Sequence, residues 1–145
     1  MSAGDLLRAE RDSGSPNGDL INSYIAEGKI VPIEITCNLI KKAMERAGWD
    51  KRTYLIDGFP RSDDNCRGWN EVMGDKTELA GVVYFEADEA TMTDRILARA
   101  ATSGRVDDNI ETLKKRFAQF NKEQLPIIMK FTQEGKVIKI NACQT

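Results

Sequence analysis

The 145-residue chain contains no histidine. That removes every histidine-based triad and most zinc-site readings. Cysteine is scarce: Cys37, Cys66 and Cys143 are an odd, widely spaced set. They have neither metal-ligand spacing nor a disulfide framework, and fit reduced thiols in the cytosol. No apolar run approaches the roughly 18 residues that mark a membrane span. The opening Met-Ser-Ala-Gly-Asp lacks the charged-then-apolar order of a signal peptide. There is no charge excess either: 21 basic residues face 23 acidic ones, a net charge of −2. Nothing in that balance suits a nucleic-acid backbone or an anionic membrane as partner. Internal repeats and low-complexity segments are absent, and so is any G-x-x-x-x-G-K-[ST] phosphate loop.

What is present is ordinary for a globular chain: 41% hydrophobic and 30% charged residues, with a length that suits one domain over 1–145. Ser2 followed by Asp5 resembles a capping box and predicts a helix over 4–11. A turn-rich break at 12–18 follows. Leu20, Ile21, Tyr24 and Ile25 recur at helical spacing up to Gly28. Pro32 suits a first helical position, and Ile35, Leu39, Ile40, Ala43 and Met44 form one stripe ending at Gly48. Further helices are predicted over 63–73, 89–100 and 110–120, and over 125–131 after an interruption near Pro126. Buried strands are predicted at Tyr54–Ile56 and Gly81–Phe85, and a third strand at Val137–Ile140. Strands separated by helices imply an α/β sheet, mostly parallel.

The most informative stretch is 53–65, Thr-Tyr-Leu-Ile-Asp-Gly-Phe-Pro-Arg-Ser-Asp-Asp-Asn. Tyr54, Leu55 and Ile56 have strand propensity; Asp57 and Gly58 end the strand, and Pro60 forbids its continuation. Arg61 is then delivered to the C-terminal mouth of a strand, where open α/β sheets bind ligands. Its permanently charged planar fork matches phosphate oxygens. Taken without its neighbours, the same stretch is a strand, a turn and a surface arginine.

A second string, Ser103-Gly-Arg-Val-Asp-Asp-Asn109, places Arg105 beside the Asp107–Asp108 pair on one short loop. Gly104 permits tight approach or hinging. Such a loop could fold over a polyphosphate and exclude water. The plainer reading is a helix N-terminus capped by Asp107 or Asp108. Arg8, Arg61, Arg95, Arg99, Arg105 and Arg116 fall near element ends or on polar faces. Each alone is most simply a solvated charge, whereas several converging would serve phosphoryl transfer, which is mostly positioning and charge neutralisation.

Leu55-Ile-Asp-Gly-Phe-Pro-Arg61 with Asn65 resembles the signature of the nucleoside monophosphate kinases, the adenylate kinase family, and the resemblance covers nearly the whole chain. It implies a phosphotransferase that uses Mg-ATP, with Mg2+ as the cofactor. Residues 1–31 are similar to the monophosphate-binding region, and 99–109 to a short lid. By this resemblance Arg8 and Arg61 hold the acceptor phosphate. Ala3, Lys29, Ile30, Val31, Gly58, Phe59, Pro60 and Asn65 line the acceptor. Arg105 and Arg116 join Arg61 as catalytic arginines bridging the phosphates. Arg95, Arg99 and Gln144 meet ATP, and Asp107 and Asp108 support the lid. No residue binds the metal directly; Asp57 would order its water shell. Ala3 and Asn65, with segments 29–36 and 64–70, are similar to the branch that phosphorylates CMP and UMP. Met92-Thr93 and 102–108 are closer to the branch acting on AMP, and the acceptor-side residues favour the pyrimidine. The other alternative is a truncated, non-catalytic nucleotide-binding remnant. The resemblance further implies a monomer in the cytoplasm, or also the nucleus.

The expected fold is α/β: a three-layer, P-loop-kinase-like parallel sheet with helices on both faces, incomplete because the central P-loop strand and final helix are missing. That strand would lie between Tyr54–Ile56 and Gly81–Phe85. Those two segments are expected either to pair directly or to leave backbone groups unsatisfied. The chain is accordingly expected to be a fragment of a longer protein or marginally stable alone.

Overall fold

In the structure, a computed structural model, residues 1–49 and 53–144 are described. The chain forms two compact units, one of residues 1–25 and 30–77, the other of 26–29 and 78–145.

Among the described residues the first unit is built on four helices, the second of which runs on into residues 26 and 27. Helix α1 (Ala3–Asp12) starts at Ser2, whose hydroxyl accepts from the Asp5 N–H at 3.3 Å. The Asp5 carboxylate pairs with Arg8, so the acid supplies charge to the first turn and steadies a basic side chain one turn on. Helix α2 (Gly18–Glu27) ends at Gly28, where φ is +68°. Helix α3 (Ile33–Ala47) begins after Pro32 and stops at Gly48. Helix α4 (Asp63–Met73) is capped by Ser62. Ala3, Ile40, Met44 and Met73 form the core, with Trp69, Tyr54 and Ile56 packed against it. Each buried Ile or Met side chain of this kind contributes about 1.5–3 kcal/mol. Gly68 lets α4 close onto α3, since a Cβ there would collide with Cγ1 of Ile33.

The segment before α4 differs from the buried strand expected. Leu55 is 76% exposed, and only Asp57 forms a bridge, parallel to Ser2. The reason is one-sided pairing. The Met1 amino group donates to the Leu55 carbonyl at 2.6 Å, the Asp57 N–H to Met1, and the Ala3 N–H back to Asp57, the last two at 2.9 Å. No backbone hydrogen bond among the described residues engages Ile56, which points to the opposite edge.

The second unit holds the sheet. Strands β1 (Val82–Glu86) and β2 (Val137–Asn141) run parallel, with Val82 opposite Val137 and Phe85 opposite Ile140. The crossover between them contains α5 (Glu89–Ser103), α6 (Ile110–Gln119) and α7 (Leu125–Gln133). A helical crossover is what parallel neighbours require. Tyr84 stacks on Phe120 at 6.2 Å, which seats one face of the sheet. The other face carries Val83, Phe85, Ile138 and Ile140, all substantially exposed, so the buried β1 expected from its apolar run is buried on one side at most. The interruption expected near Pro126 is instead a π-helical turn, Phe120–Gln124, that keeps the chain helical into α7. Pro126 then falls in the first turn of α7, the part of a helix that tolerates proline best.

Candidate functional site

In the first unit the chain turns sharply after Asp57. Gly58 has φ +74°, a left-handed conformation that favours glycine. Arg61 folds back over this turn, its Nε donating to the Gly58 carbonyl at 2.7 Å. Its backbone N–H donates to Oδ1 of Asn65 at 3.0 Å. Arg8 is pinned in a similar way. Its guanidinium pairs with Asp5 and lies beside Gly4, where a Cβ would be 3.2 Å from Nη2. The two arginines expected to hold an acceptor phosphate are thus each nested against a glycine and each held by a local partner.

The other acceptor-side positions differ in exposure. Ala3 is buried in the core, and Val31 is buried too. Phe59 packs its ring 5.4 Å from Trp69, while Ile30 and Pro60 are partly exposed. Lys29 pairs with Glu27. Asp57 is exposed, and no hydrogen bond or ion pair engages its carboxylate among the described residues.

The second unit orders its charges in pairs. Arg99 donates to both oxygens of Asp108, Nε to Oδ2 at 2.9 Å and Nη2 to Oδ1 at 2.5 Å. The Ser103 hydroxyl donates to the same Oδ2 at 2.6 Å and accepts from the Arg105 N–H at 3.2 Å. The Asp108 side chain is fully shielded from solvent. The Arg99 guanidinium, helped by Ser103 and opposed by burial, holds its carboxyl at about 2, below the ordinary 3.8; the same pair pushes Arg99 up. Arg116 donates from Nη1 to Oδ2 of Asp107 at 2.9 Å, and Oδ1 of Asp107 is buried with no hydrogen-bond partner among the described residues. Neither aspartate caps α6, contrary to the plainer reading of the loop. That role belongs to Asn109, whose Oδ1 accepts from the Thr112 N–H at 2.9 Å. Capping by Asn109 leaves both carboxylates to arginines.

Arg95 is committed elsewhere. It donates to the carbonyls of Ala142, at 2.6 Å, and Gln144, at 3.3 Å. The Cys143 thiol completes that corner: it donates to Oδ2 of Asp88 at 3.5 Å and accepts from the Asp88 N–H at 3.4 Å. Arg95 thereby fixes the backbone around Gln144. In α6, Thr112 donates its hydroxyl to the Ala26 carbonyl at 3.3 Å. Gly28 lies so near that a Cβ would be 3.3 Å from Cγ of Arg116.

Among the described residues no three Asp, Glu or Cys side chains cluster to hold a metal. A lone exposed carboxylate such as Asp57 nevertheless suits the water shell of a divalent cation held mainly by substrate phosphates. No helix among the described residues is long and apolar enough to cross a membrane.

The family profile described as "Adenylate kinase" matches residues 1–136. The chain belongs to the adenylate kinase family. Among its relatives, the UMP-CMP kinase of Danio rerio is 47% identical across the whole chain, which covers 76% of that protein. The UMP-CMP kinase of Gallus gallus is 45% identical with the same coverage. The "Probable UMP-CMP kinase 1" of Arabidopsis thaliana is 51% identical, with the chain covering 68% of it. The small parallel sheet with its helical crossover is consistent with the α/β fold of this family.

Ser62 and Ser103 were not singled out in the sequence, yet Ser62 caps the start of α4 and Ser103 holds Asp108. Ser62 was findable, because Ser-Asp-Asp-Asn65 has the spacing of a capping box. Ser103 had no local signal: its bond to Asp108 depends on how the loop closes.

Proposed function

We propose that this adenylate kinase family member is a nucleoside monophosphate kinase that transfers the γ-phosphoryl of ATP to CMP or UMP. The observation that carries the reading is similarity to UMP-CMP kinases across all of this chain, at 45–51% identity for those named above. Arg8 and Arg61 take the acceptor's 5′-phosphate. Their glycine nests and local partners support this, since a preset fork loses little freedom on meeting an anion. Asn65 reads the base through Nδ2, its oxygen being already engaged. Ala3, Lys29, Ile30, Val31, Phe59 and Pro60 shape the surroundings of the acceptor.

An acceptor phosphate oxygen attacks the γ-phosphorus, the bond to the β-phosphate oxygen breaks, and the products are ADP and a nucleoside diphosphate. Little covalent work falls to the protein. Arg105 and Arg116 neutralise the charge on the moving group, and Arg99 that on ATP. Asp107 and Asp108 keep Arg116 and Arg99 extended and oriented until phosphate arrives. Arg95 sets the backbone at Gln144 that meets the adenine. Asp57 would order the water shell of Mg2+ bound with ATP, and the ion would supply charge neutralisation on the phosphates. At the dilute concentrations of the assay the chain acts as a monomer, checked by light scattering, in the cytoplasm.

The test is diphosphate formation from Mg-ATP with CMP, UMP and AMP supplied separately. Turnover with the two pyrimidines, little with AMP, and loss of at least about a hundredfold in Arg61→Ala is expected; losses of that size follow misplacement of a reacting group. CMP bound without turnover would leave an acceptor half-site, and AMP as the preferred acceptor would overturn the pyrimidine assignment.

A further inference from the structure

Asn65 is only 3% exposed, yet it carries an amide. Two hydrogen bonds hold the residue, one through its backbone and one through its side chain. Its N–H donates to the Ser62 hydroxyl at 3.1 Å, and its Oδ1 accepts from the Arg61 N–H at 3.0 Å. An N–H needs an acceptor, so the oxygen must face Arg61. Nδ2 is the end left over, and among the described residues it donates to no protein group. In a capping box the third helical side chain returns to the N–H of the cap residue. Here it reaches one residue further back, to the arginine.

That detail joins a helix cap to an anion-binding side chain. The Arg61 main chain is fixed by Asn65, and its Nε by the Gly58 carbonyl. With both ends held, the outer guanidinium nitrogens have a restricted arc to explore before any ligand arrives. We infer that Asn65 is a positioning residue for phosphate: its oxygen presets Arg61, so its loss weakens recognition of the acceptor's 5′-phosphate whatever base is attached. The inference rests on the kinase reading and adds to the base contact a duty that a base contact alone does not contain.

Two measurements separate the possibilities. The first needs no ligand: hydrogen exchange of the Arg61 amide. It is expected to accelerate about tenfold or more in Asn65→Ala, equivalent to about 1.4 kcal/mol. It should stay protected in Asn65→Asp, which keeps an acceptor oxygen. Ser62→Ala removes the other half of the cap while leaving the Arg61 bond, and controls for fraying of α4. Unchanged exchange in Asn65→Ala, or equal acceleration in Ser62→Ala, overturns the proposal.

The second measurement compares binding of CMP with cytidine, and of AMP with adenosine. The phosphate increment within each pair should fall about tenfold in Asn65→Ala for both bases. A loss of affinity shared equally by CMP and cytidine, with the increment kept, would mean a base contact only and overturns the positioning role. Wild-type protein binding cytidine as tightly as CMP would refute the kinase reading and this one together.

Discussion

The guanidinium of Arg61 lies directly against Gly58: a methyl group on that glycine would sit 2.9 Å from Nη2. The residue also has φ +74°. Gly58→Ala therefore acts twice. It forces a side chain into left-handed backbone, which costs about 1–2 kcal/mol, and it pushes the arginine fork off its seat. We expect CMP affinity to fall about tenfold, the equivalent of about 1.4 kcal/mol, with a lower melting temperature. Isothermal titration and a thermal melt on the same sample check both. Unchanged affinity in a folded variant would show that Arg61 finds its phosphate geometry without the glycine nest.

The turn at Gly58 was legible because its chemistry is local: strand residues, then Asp-Gly, then Pro and Arg. The helices were legible for the same reason, and 63–73 matches α4 end to end. The environment of the strands was not. Leu55 and Phe85 carry the apolar character of buried strands, but burial depends on what lies across them, and both are largely exposed. At the candidate site, the sequence pointed to the arginines and the aspartate pair. It did not show that Asn109 takes the cap and so releases Asp107 and Asp108, because that outcome depends on competition among three adjacent residues that can all cap. Nor did it show Arg95 turned onto backbone carbonyls 47 and 49 residues away.

Asp108 makes stability depend on acidity. Its carboxyl is held at about 2 by Arg99 and Ser103, against about 3.9 in an unfolded chain. A lowered value means the folded form favours the carboxylate. The resulting stabilisation is fully present above about pH 4 and is lost as pH falls through about 2. Asp108→Asn should cost about 1–2 kcal/mol at neutral pH by weakening charged hydrogen bonds, and should flatten the acid limb between about pH 4 and 2. Urea midpoints measured from pH 7 downward would reveal this. An equally steep acid limb in the variant would assign the sensitivity to other carboxylates.

Val83, Phe85, Ile138 and Ile140 leave one face of the two-stranded sheet open to water. Ile56 adds an unpaired strand position in the other unit. Exposed apolar faces and open edges promote association. The isolated chain should therefore bind a hydrophobic dye while still folded, self-associate with rising concentration, and melt below about 60 °C, in the range of ordinary mesophilic domains or lower. Phe85→Lys should reduce dye binding and association while changing stability by no more than about 0.5 kcal/mol, as for a surface position. A sharp cooperative melt above about 60 °C with no dye binding would contradict this view of the sheet.

Asp57 offers the most direct test of how the metal is held. Its backbone is engaged on both sides, donating to Met1 and accepting from Ala3, whereas its exposed carboxylate meets no protein group among the described residues. Asn at this position keeps the backbone pairing and removes only the charge. Stability should therefore be nearly unchanged, within about 0.5 kcal/mol. If Asp57 orders the water shell of Mg2+, phosphoryl transfer by wild-type protein should cease with a chelator and return with added Mg2+. Asp57→Asn should then require several-fold more Mg2+ for half-maximal rate, because one acceptor of hydrogen bonds from metal-bound water has lost its charge. CMP binding without ATP or metal serves as the internal control and should be the same in both proteins. A matching Mg2+ requirement would release Asp57 from the metal, and a loss of CMP binding would assign its carboxylate to the acceptor side instead.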